Sequence, residues 1–366
     1  MTALLASFAF AMFVANPALG RISDKLGRRP VLLLSLGVGK VAHLWFAVSN
    51  DIMQMFAART IAGLATGNIG VIQSIIADRT SPQDRARTMG FLGAAIGAGF
   101  VTGPALGGLL SGIGSGPVHQ TPFLIAAAFS ALSFILAIRL KETSTLSRSV
   151  VTQGVFSEYV KTVLSGQIGW FAASFFCLNL AFAQVEVSYV LLVRDLLGFG
   201  ARQTGWLFIY IGVLIIIVQG GLISRAVLRF GEMKTIIAGV ALLASGQLLT
   251  VALAFGDALG LVIMVGPILL STTLVCVGFA FTNPTLTASA SKAASARNMG
   301  GSLGFIQGCG SIGQVLGLVS AGPFNAFGGS VASFGFGTAV TCCLLVFILM
   351  MLSRQHRQQK MADGVC

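Results

Sequence analysis

Four ionisable residues of this sequence lie inside long apolar runs, where a charged group is costly: Arg59, Glu186, Lys40 and His43. A carboxyl group in such a setting loses hydration in its charged form, so Glu186 could take up and release a proton. An arginine nearby would favour the release, which makes Arg59 and Glu186 candidates for proton coupling. Lys40 and His43 stand three residues apart and share one face of a helix.

These residues also have plainer interpretations. For Lys40 and Glu186 the alternative is a structural ion pair or a side chain that reaches the membrane interface. For His43 it is a hydrogen-bonded packing residue. Amide side chains in and beside the same runs are candidates for lining a substrate cavity: Asn68, Gln73, Asn179, Gln184 and Asn283.

The sequence predicts neither an enzyme nor a resident cofactor. It has no G-x-x-x-x-G-K-[ST] loop for nucleotides, no G-x-S-x-G or H-E-x-x-H motif, and no C-x-x-C pair. The three histidines are scattered at positions 43, 119 and 356, so no metal site is expected. A proton gradient is therefore a better candidate for the energy source than ATP.

The composition indicates the elements that must position these residues. The chain is 55% hydrophobic and 9% charged, with a mean hydropathy of +0.89. A soluble domain could not cover that much apolar surface, and runs of about 20 apolar residues cross a bilayer as helices. The net charge of +12 is explained by basic loops on the cytoplasmic side, so no nucleic-acid partner is expected.

Eleven membrane spans are predicted at residues 1–20, 31–49, 53–76, 87–111, 122–140, 168–190, 204–224, 234–254, 259–283, 299–320 and 332–352. The longest polar interval, 141–167, separates five spans from six. The predicted organisation is an N-terminal helical half, a cytoplasmic linker, a C-terminal helical half and a cytoplasmic tail, at 1–140, 141–167, 168–352 and 353–366.

The basic residues predict the orientation of the chain. Of 23 Lys and Arg, nineteen fall in every second loop or in the tail, counted from the charged stretch 20-GRISDKLGRR-29. This asymmetry places that stretch and the C-terminus in the cytoplasm. It also leaves Met1 outside.

The two halves repeat one design. The stretch beginning at Gly20 recurs in outline as 221-GLISRAVLRFGEMKTIIAG-239, with a glycine, a basic loop, a second glycine and a new apolar span. The fourth and tenth spans are both rich in glycine, each three spans after its copy of this pattern. Such repeats are typical of alternating-access transporters.

These features support a family resemblance. Residues 20–29 resemble the signature loop between helices two and three of the major facilitator superfamily. Residues 59–67, RTIAGLATG, are similar to the family's fourth-helix motif, and residues 99–108, GFVTGPALGG, to the fifth-helix motif of proton-coupled antiporters. The resemblance covers nearly the whole chain and points to the drug:proton antiporter, tetracycline-resistance-like branch. It implies an all-α membrane bundle of two pseudo-symmetric halves.

The resemblance also implies roles for individual residues. The first motif would be a gating loop, formed by Gly20, Asp24, Gly27, Arg28 and Arg29. Its two glycines would allow a tight turn, and Asp24 could lie at a helix N-terminus or pair with an arginine. Alternatively, the loop is basic only because it lies on the cytoplasmic side of the membrane, and it does no more than cap a helix. The second motif places at Arg59 a residue implicated in proton coupling.

The fifth-helix motif would be a pivot, formed by Gly99, Gly103, Pro104, Gly107 and Gly108. Three of its glycines recur every four residues, so another helix could approach that face closely, and the proline would bend the helix. The alternative is a packing surface without a switching role.

The expected function is proton-coupled export of a small amphiphilic molecule by alternating access, with lipid, substrate and protons as partners. Eleven spans instead of the family's usual twelve suggest that the first helix is missing. Alternatives are a sugar or metabolite symporter or facilitator, a transport-inactive sensor, and an inactive truncated product. The expected setting is the plasma (inner) membrane, with the protein a monomer.

Overall fold

The computed structural model describes residues 2–81, 84–110, 119–143, 166–254, 261–294 and 299–362. Throughout these ranges the regular structure is helical. The predicted all-α fold class is confirmed. The bounds of the helices are α1 Thr2–Leu26, α2 Arg28–Val48, α3 Ile52–Thr66, α4 Ile69–Arg79, α5 Arg85–Leu110, α6 Gln120–Ile138, α7 Gln167–Leu197, α8 Ala201–Ile217, a π turn Val218–Leu222, α9 Ile223–Phe230, α10 Glu232–Ala254, α11 Leu261–Ala293 and α12 Met299–Ala362.

The eleven predicted spans fall on these helices, with three differences in detail. The third span is broken at Gly67 and Asn68, between α3 and α4, and the seventh contains the π turn. The last two spans both lie in α12, which is interrupted at Gly328 and Gly329 by non-helical backbone angles. We call residues 299–327 the first arm of α12.

Length and composition support a membrane location for most of these helices. Within the described ranges, eight helical segments are long and apolar enough to cross a bilayer. The last of them, Gly301–Ser353, covers both predicted spans of α12, while α1 and α5 are not among the eight.

The predicted repeat is visible in the backbone. Gly27 separates α1 from α2 with φ +101°, and Gly231 separates α9 from α10 with φ +83°. Gly20, by contrast, lies inside α1, so the prediction that it helps to form a tight turn is wrong. Residues 21–26, the charged part of the predicted loop, continue α1 by more than one turn. The boundaries of the two halves stay a prediction, and most of the predicted linker lies outside the described residues.

The first arm of α12 is the element around which the other helices are arranged. A β-carbon at Gly304 would collide with the backbone of Asn16 in α1, and one at Gly313 with that of Phe176 in α7. Absent side chains at such positions let helix backbones approach each other closely. The first arm of α12 is therefore packed between α1 on one side and α7 on the other.

One end of the bundle is closed by an apolar cluster. We call it the basic end, because it holds the turns at Gly27 and Gly231 and the Arg- and Lys-rich stretches around them. Its cluster joins Ala77 and Met89 of α4 and α5 to Leu286, Leu303 and Ile306 of α11 and α12. Helices from the two predicted halves are therefore in direct contact at this end.

The two turn glycines allow a matched test of stability. Both have backbone angles that side chains strongly disfavour, at a cost of about 1–3 kcal/mol. At Gly27 an added β-carbon would also lie 2.6 Å from a carboxylate oxygen of Glu142, whereas at Gly231 nothing lies within 4 Å. We expect Gly27→Ala to lower the melting temperature more than Gly231→Ala, as measured by thermal unfolding of the purified protein. Equal shifts would show that displacing the Glu142 carboxylate costs no stability.

Candidate functional site

The predicted gating loop contains a charge cluster around a buried arginine. Arg28, at the start of α2, is 3% exposed and forms an ion pair with Asp24, near the end of α1. Its guanidinium also donates to Ser23 Oγ at 2.9 Å and to Asp78 Oδ2 at 3.3 Å. Two partly exposed carboxylates, Asp24 and Asp78, therefore pair with one buried arginine.

Asp24 connects this cluster to the other predicted half. Its Oδ2 accepts a hydrogen bond from the backbone N–H of Gly301 at 2.7 Å. Gly301 lies in the first turn of α12, where N–H groups have no partner within the helix and a negative charge is favoured. Asp24 therefore pairs with an arginine and also lies at a helix N-terminus, which are the two arrangements expected from the sequence.

Glu142 holds the other side of this loop, and sequence reasoning missed it. Its two carboxylate oxygens accept from the backbone N–H groups of Arg28 at 2.9 Å and Arg29 at 3.0 Å, the first residues of α2. Arg29 in turn donates to the carbonyl oxygen of Ile138 at 2.8 Å. The pattern that favours acidic residues at a helix start is a local one, and Glu142 lies more than a hundred residues away in the sequence.

Further from the basic end, polar side chains of α1 and α4 form hydrogen bonds with the first arm of α12. Asn16 donates to Ser311 Oγ at 3.2 Å, and Gln307 donates to Gln73 Oε1 at 3.1 Å. Gln73 was predicted to line a substrate cavity. In this structure it belongs to the contact that closes the bundle.

The five residues of the predicted pivot lie in α5. In this conformation a β-carbon at Gly99 or Gly103 would have no heavy atom within 4 Å. The close contact of α5 occurs nearer the basic end, where Gly90 and Gly93 pack against Gln219 in the π turn. The surroundings of Pro104, Gly107 and Gly108 lie outside the described residues. Their role as a pivot stays a prediction.

Arg59 lies among aromatic rings. The centroids of Phe8, Phe46 and Phe123, from α1, α2 and α6, are 5.4, 5.4 and 5.1 Å from its guanidinium carbon. Such rings attract a cation through their electron-rich faces. The contacts of Arg59 given by the structure are with this cage, and not with Glu186.

Lys40 and His43 lie beside the α2–α6 contact. The Lys40 ammonium is 5.6 Å from the centre of the Phe134 ring, and the His43 ring is 6.3 Å from that of Phe123. Both positions are compatible with packing as well as with function. Their proposed part in proton coupling stays a prediction.

Glu186 borders a cavity of about 130 Å³ within the predicted C-terminal half, lined chiefly by α7, α8 and α11 and also by α10 and α12. The walls of this cavity are aromatic and aliphatic: Phe182, Tyr189, Phe208, Ile211, Phe279 and Phe334. One carboxylate oxygen of Glu186 accepts from Gln314 of the first arm of α12 at 3.4 Å. In the described part of the chain, every other Asp and Glu lies within four residues of a helix end or in a connecting segment.

The predicted cavity amides have other partners. Asn68 donates to Ser35 Oγ at 2.7 Å. Gln184 is fully buried and bonds to Gly317, Ser320 and Ser333. None of the five predicted amides lines the cavity beside Glu186.

Fewer contacts are described for the other two predicted amides. Asn179 donates to a carbonyl of its own helix at 2.8 Å, and Asn283 is half-buried in α11. The described residues contain no cluster of His, Cys, Asp or Glu that could hold a metal ion.

The fold and site together define a class of protein. A helical membrane protein with repeated halves, closed at one end and with a carboxyl group in an apolar cavity, has the architecture of a secondary transporter. The family model of the Major Facilitator Superfamily matches residues 1–318. The chain belongs to this superfamily.

Two relatives indicate a branch of the superfamily. The chain is 33% identical to the tetracycline resistance protein, class C, of Escherichia coli over 250 residues, which are 67% of this chain and 62% of that protein. It is 29% identical to multidrug resistance protein 1 of Bacillus subtilis (strain 168) over 327 residues, 87% of this chain and 79% of that protein. The chain thus spans less than two thirds of the tetracycline resistance protein.

Two solved structures share the fold. The human organic anion transporter MFSD10 (TETRAN) matches with a TM-score of 0.81 and 24% identity over 94% of this chain and 83% of that one. A bacterial homologue of the iron transporter ferroportin in an outward-facing state matches with a TM-score of 0.74 and 14% identity, over 96% and 89%.

The close packing of α12 against α1 predicts a position-specific effect of alanine. Gly304→Ala would force a β-carbon into the backbone of Asn16, whereas Gly335→Ala, beyond the break in α12, meets nothing within 4 Å. The gain in helix propensity is the same at both sites, so the difference reports the collision. We expect Gly304→Ala to be less stable by about 1–3 kcal/mol in thermal unfolding. Matching melting temperatures would refute the tight contact.

Proposed function

We propose that this protein exports a small amphiphilic molecule in exchange for protons, by alternating access. The observation that carries the proposal is the position of Glu186, an ionisable group at the border of an apolar cavity within the helical bundle. A proton is the simplest ligand of such a group, because the neutral form needs no hydration. The relatedness to tetracycline and multidrug resistance proteins supports export as the direction.

The contacts between the predicted halves support a particular state of the cycle. They gather at the basic end, where Asp24 meets Gly301 and Gln73 meets Gln307. Toward the other end of α5, Gly103 faces open space. We assign the basic end to the cytoplasm, following the distribution of Lys and Arg. With that assignment we propose an outward-facing state, in which the Asp24 cluster is the contact that must open to admit substrate from inside.

Protonation of Glu186 could bias this opening through the first arm of α12. The carboxylate accepts from Gln314, and Gln314 lies on the same arm as Gly301. A charged acceptor binds an N–H donor more strongly than a neutral one. The protonation state of Glu186 would therefore change how firmly α7 holds this arm, and a proton gradient would favour one conformation.

The lining of the cavity supports an amphiphilic substrate over a sugar. Its walls are largely apolar and aromatic, with Glu186, Tyr189 and two threonines as the main polar groups. A sugar needs several hydrogen-bonding groups fixed around it, and the Tyr189 hydroxyl is already paired with Thr272 at 2.8 Å. The setting that we propose is a bacterial inner membrane, with the protein a monomer.

The coupling role of Glu186 can be tested with a neutral isostere. Glu186→Gln keeps the shape but removes the titratable proton, so efflux of a lipophilic dye driven by a pH gradient in proteoliposomes should fall to background. Downhill exchange of the dye should be partly retained. Asp195→Asn is the matched control, because that exposed carboxylate pairs only with Arg194 beside it in the described structure and should export normally.

Two results would contradict this coupling. Export by Glu186→Gln that still follows the pH gradient would remove Glu186 from the proton path. Export that ignores a protonophore and depends on ATP would exclude proton antiport altogether.

The predicted pivot can be tested at Gly103. Since a side chain there has room in this conformation, Gly103→Leu should fold and reach the membrane at the normal level. If α5 closes against another helix elsewhere in the cycle, Leu should block transport while Gly103→Ala is milder. The measurement is dye efflux normalised to protein level. Full transport by Gly103→Leu would show that this glycine face is a packing surface without a switching role.

A further inference from the structure

The two copies of the repeated glycine and basic pattern use their charges differently. In the first copy Arg28 is buried and pairs with two carboxylates. The second copy, residues 221–239, contains one acidic residue, Glu232, and this carboxylate pairs with Lys292 of α11 at 2.7 Å. The second copy therefore has no further carboxylate of its own to pair with its basic side chains.

Three cations of the second copy are exposed: Arg225, Arg229 and Lys234. Among the described residues, none of the three forms an ion pair with a carboxylate. Basic residues are common in cytoplasmic loops, so these charges alone do not define a site. The apolar side chains beside them do.

The outer face of α9 is both basic and apolar. Arg225, Leu228 and Arg229 are three and four residues apart and share one side of the helix. Leu228 is 80% exposed between the two guanidinium groups. Ile223 and Val227, on the opposite side, pack into the bundle. The outer face of α9 is therefore the one that meets the surroundings of the protein.

Phe230 extends this mixed surface to the end of the helix. It is 56% exposed, and the guanidinium carbon of Arg229 lies 5.5 Å from the centre of its ring. The membrane-crossing segment Gln203–Phe230 has 28 residues. At about 1.5 Å per residue it is about 42 Å long, against about 30 Å for the hydrocarbon core. Its last turns therefore reach the layer of lipid headgroups.

We propose that α9 and the start of α10 bind the headgroup of an anionic phospholipid. Arg225 and Arg229 donate to its phosphate oxygens with their planar forks, and Lys234 adds a third positive charge. Leu228 and Phe230 lie where the headgroup meets the acyl chains. A helix face that combines basic and large apolar side chains is typical of this boundary.

A membrane lipid fits this surface better than a soluble anion. A soluble anion would neutralise the cations but would leave Leu228 and Phe230 in contact with water. A phospholipid satisfies both kinds of side chain at once. The proposal goes beyond the proposed function, and it depends neither on the direction of transport nor on the energy source.

The test measures lipid binding to the purified full chain in detergent by native mass spectrometry. The probes are phosphatidylglycerol, which has a net negative charge, and phosphatidylcholine, whose phosphate is balanced by a positive group. The measured quantity is the apparent dissociation constant of the first lipid bound. The parent protein should bind phosphatidylglycerol more tightly than phosphatidylcholine.

Arg225→Gln combined with Arg229→Gln should weaken the binding of phosphatidylglycerol about tenfold, because each cation near the headgroups adds attraction. Binding of phosphatidylcholine should not change. The matched control is Arg87→Gln combined with Arg139→Gln, which removes two exposed cations from the same end of the bundle but outside α9. This control should bind phosphatidylglycerol as tightly as the parent does.

The apolar part of the site has its own matched pair. Phe230 precedes Gly231 as Leu26 precedes Gly27, and both side chains are exposed. Phe230→Ser keeps every cation and should still weaken the binding of phosphatidylglycerol, whereas Leu26→Ser should not. If the double arginine variant does not fold, this pair decides, and equal affinities for its two members would overturn the proposal.

Two further results would overturn it. Equal weakening by the two double arginine variants would show that the preference comes from the overall charge of the basic end. Displacement of phosphatidylglycerol by millimolar inorganic phosphate would show that the cations form a site for a soluble anion. Transport is not measured, so either result leaves the proposed export intact.

Discussion

The pairing of side-chain charges with helix ends is the constraint on which this structure depends. The chain has few charged residues, and a membrane bundle offers little water to hydrate them. Helix termini supply the counter-charges instead. Glu142 caps the first N–H groups of α2, and Asp24 caps that of Gly301 in α12. Each of these contacts fixes a helix end at the basic end of the bundle.

The first arm of α12 transmits this constraint into the membrane. At its start, Gly301 bonds to Asp24, and further along, Gly304 lies against α1 and Gly313 against α7. Between and beyond these contacts the arm carries Gln307, bonded to Gln73, and Gln314, bonded to Glu186. One helical arm therefore connects the contact at Asp24 with the cavity beside Glu186. In the proposed transport cycle, rigid-body movement of this arm would couple the two places.

The helices, the order of the spans and the turn at Gly27 were predictable because their signals are local. Apolar length, glycine and clustered charge can all be read within one segment. The contacts of Glu142 and Asn16 were not predictable, because their partners lie 114 and 295 residues away. The amides show a second limit. Gln184 and Gln73 have the residue type of cavity ligands, yet their hydrogen bonds are made to neighbouring helices, and only packing decides between these uses.

The same geometry would let charged side chains take part in a contact that breaks and re-forms in the proposed transport cycle. Separating a buried ion pair between two halves would leave a lone charge on each side, at a cost of several kcal/mol. Here Asp24 also has a partner within its own half, because it is paired with Arg28. On leaving Gly301 in the proposed cycle it would keep that partner. The bond that Asp24 would lose, to the start of α12, is a charge-to-dipole contact, strong enough to favour one state and weak enough to be reversed.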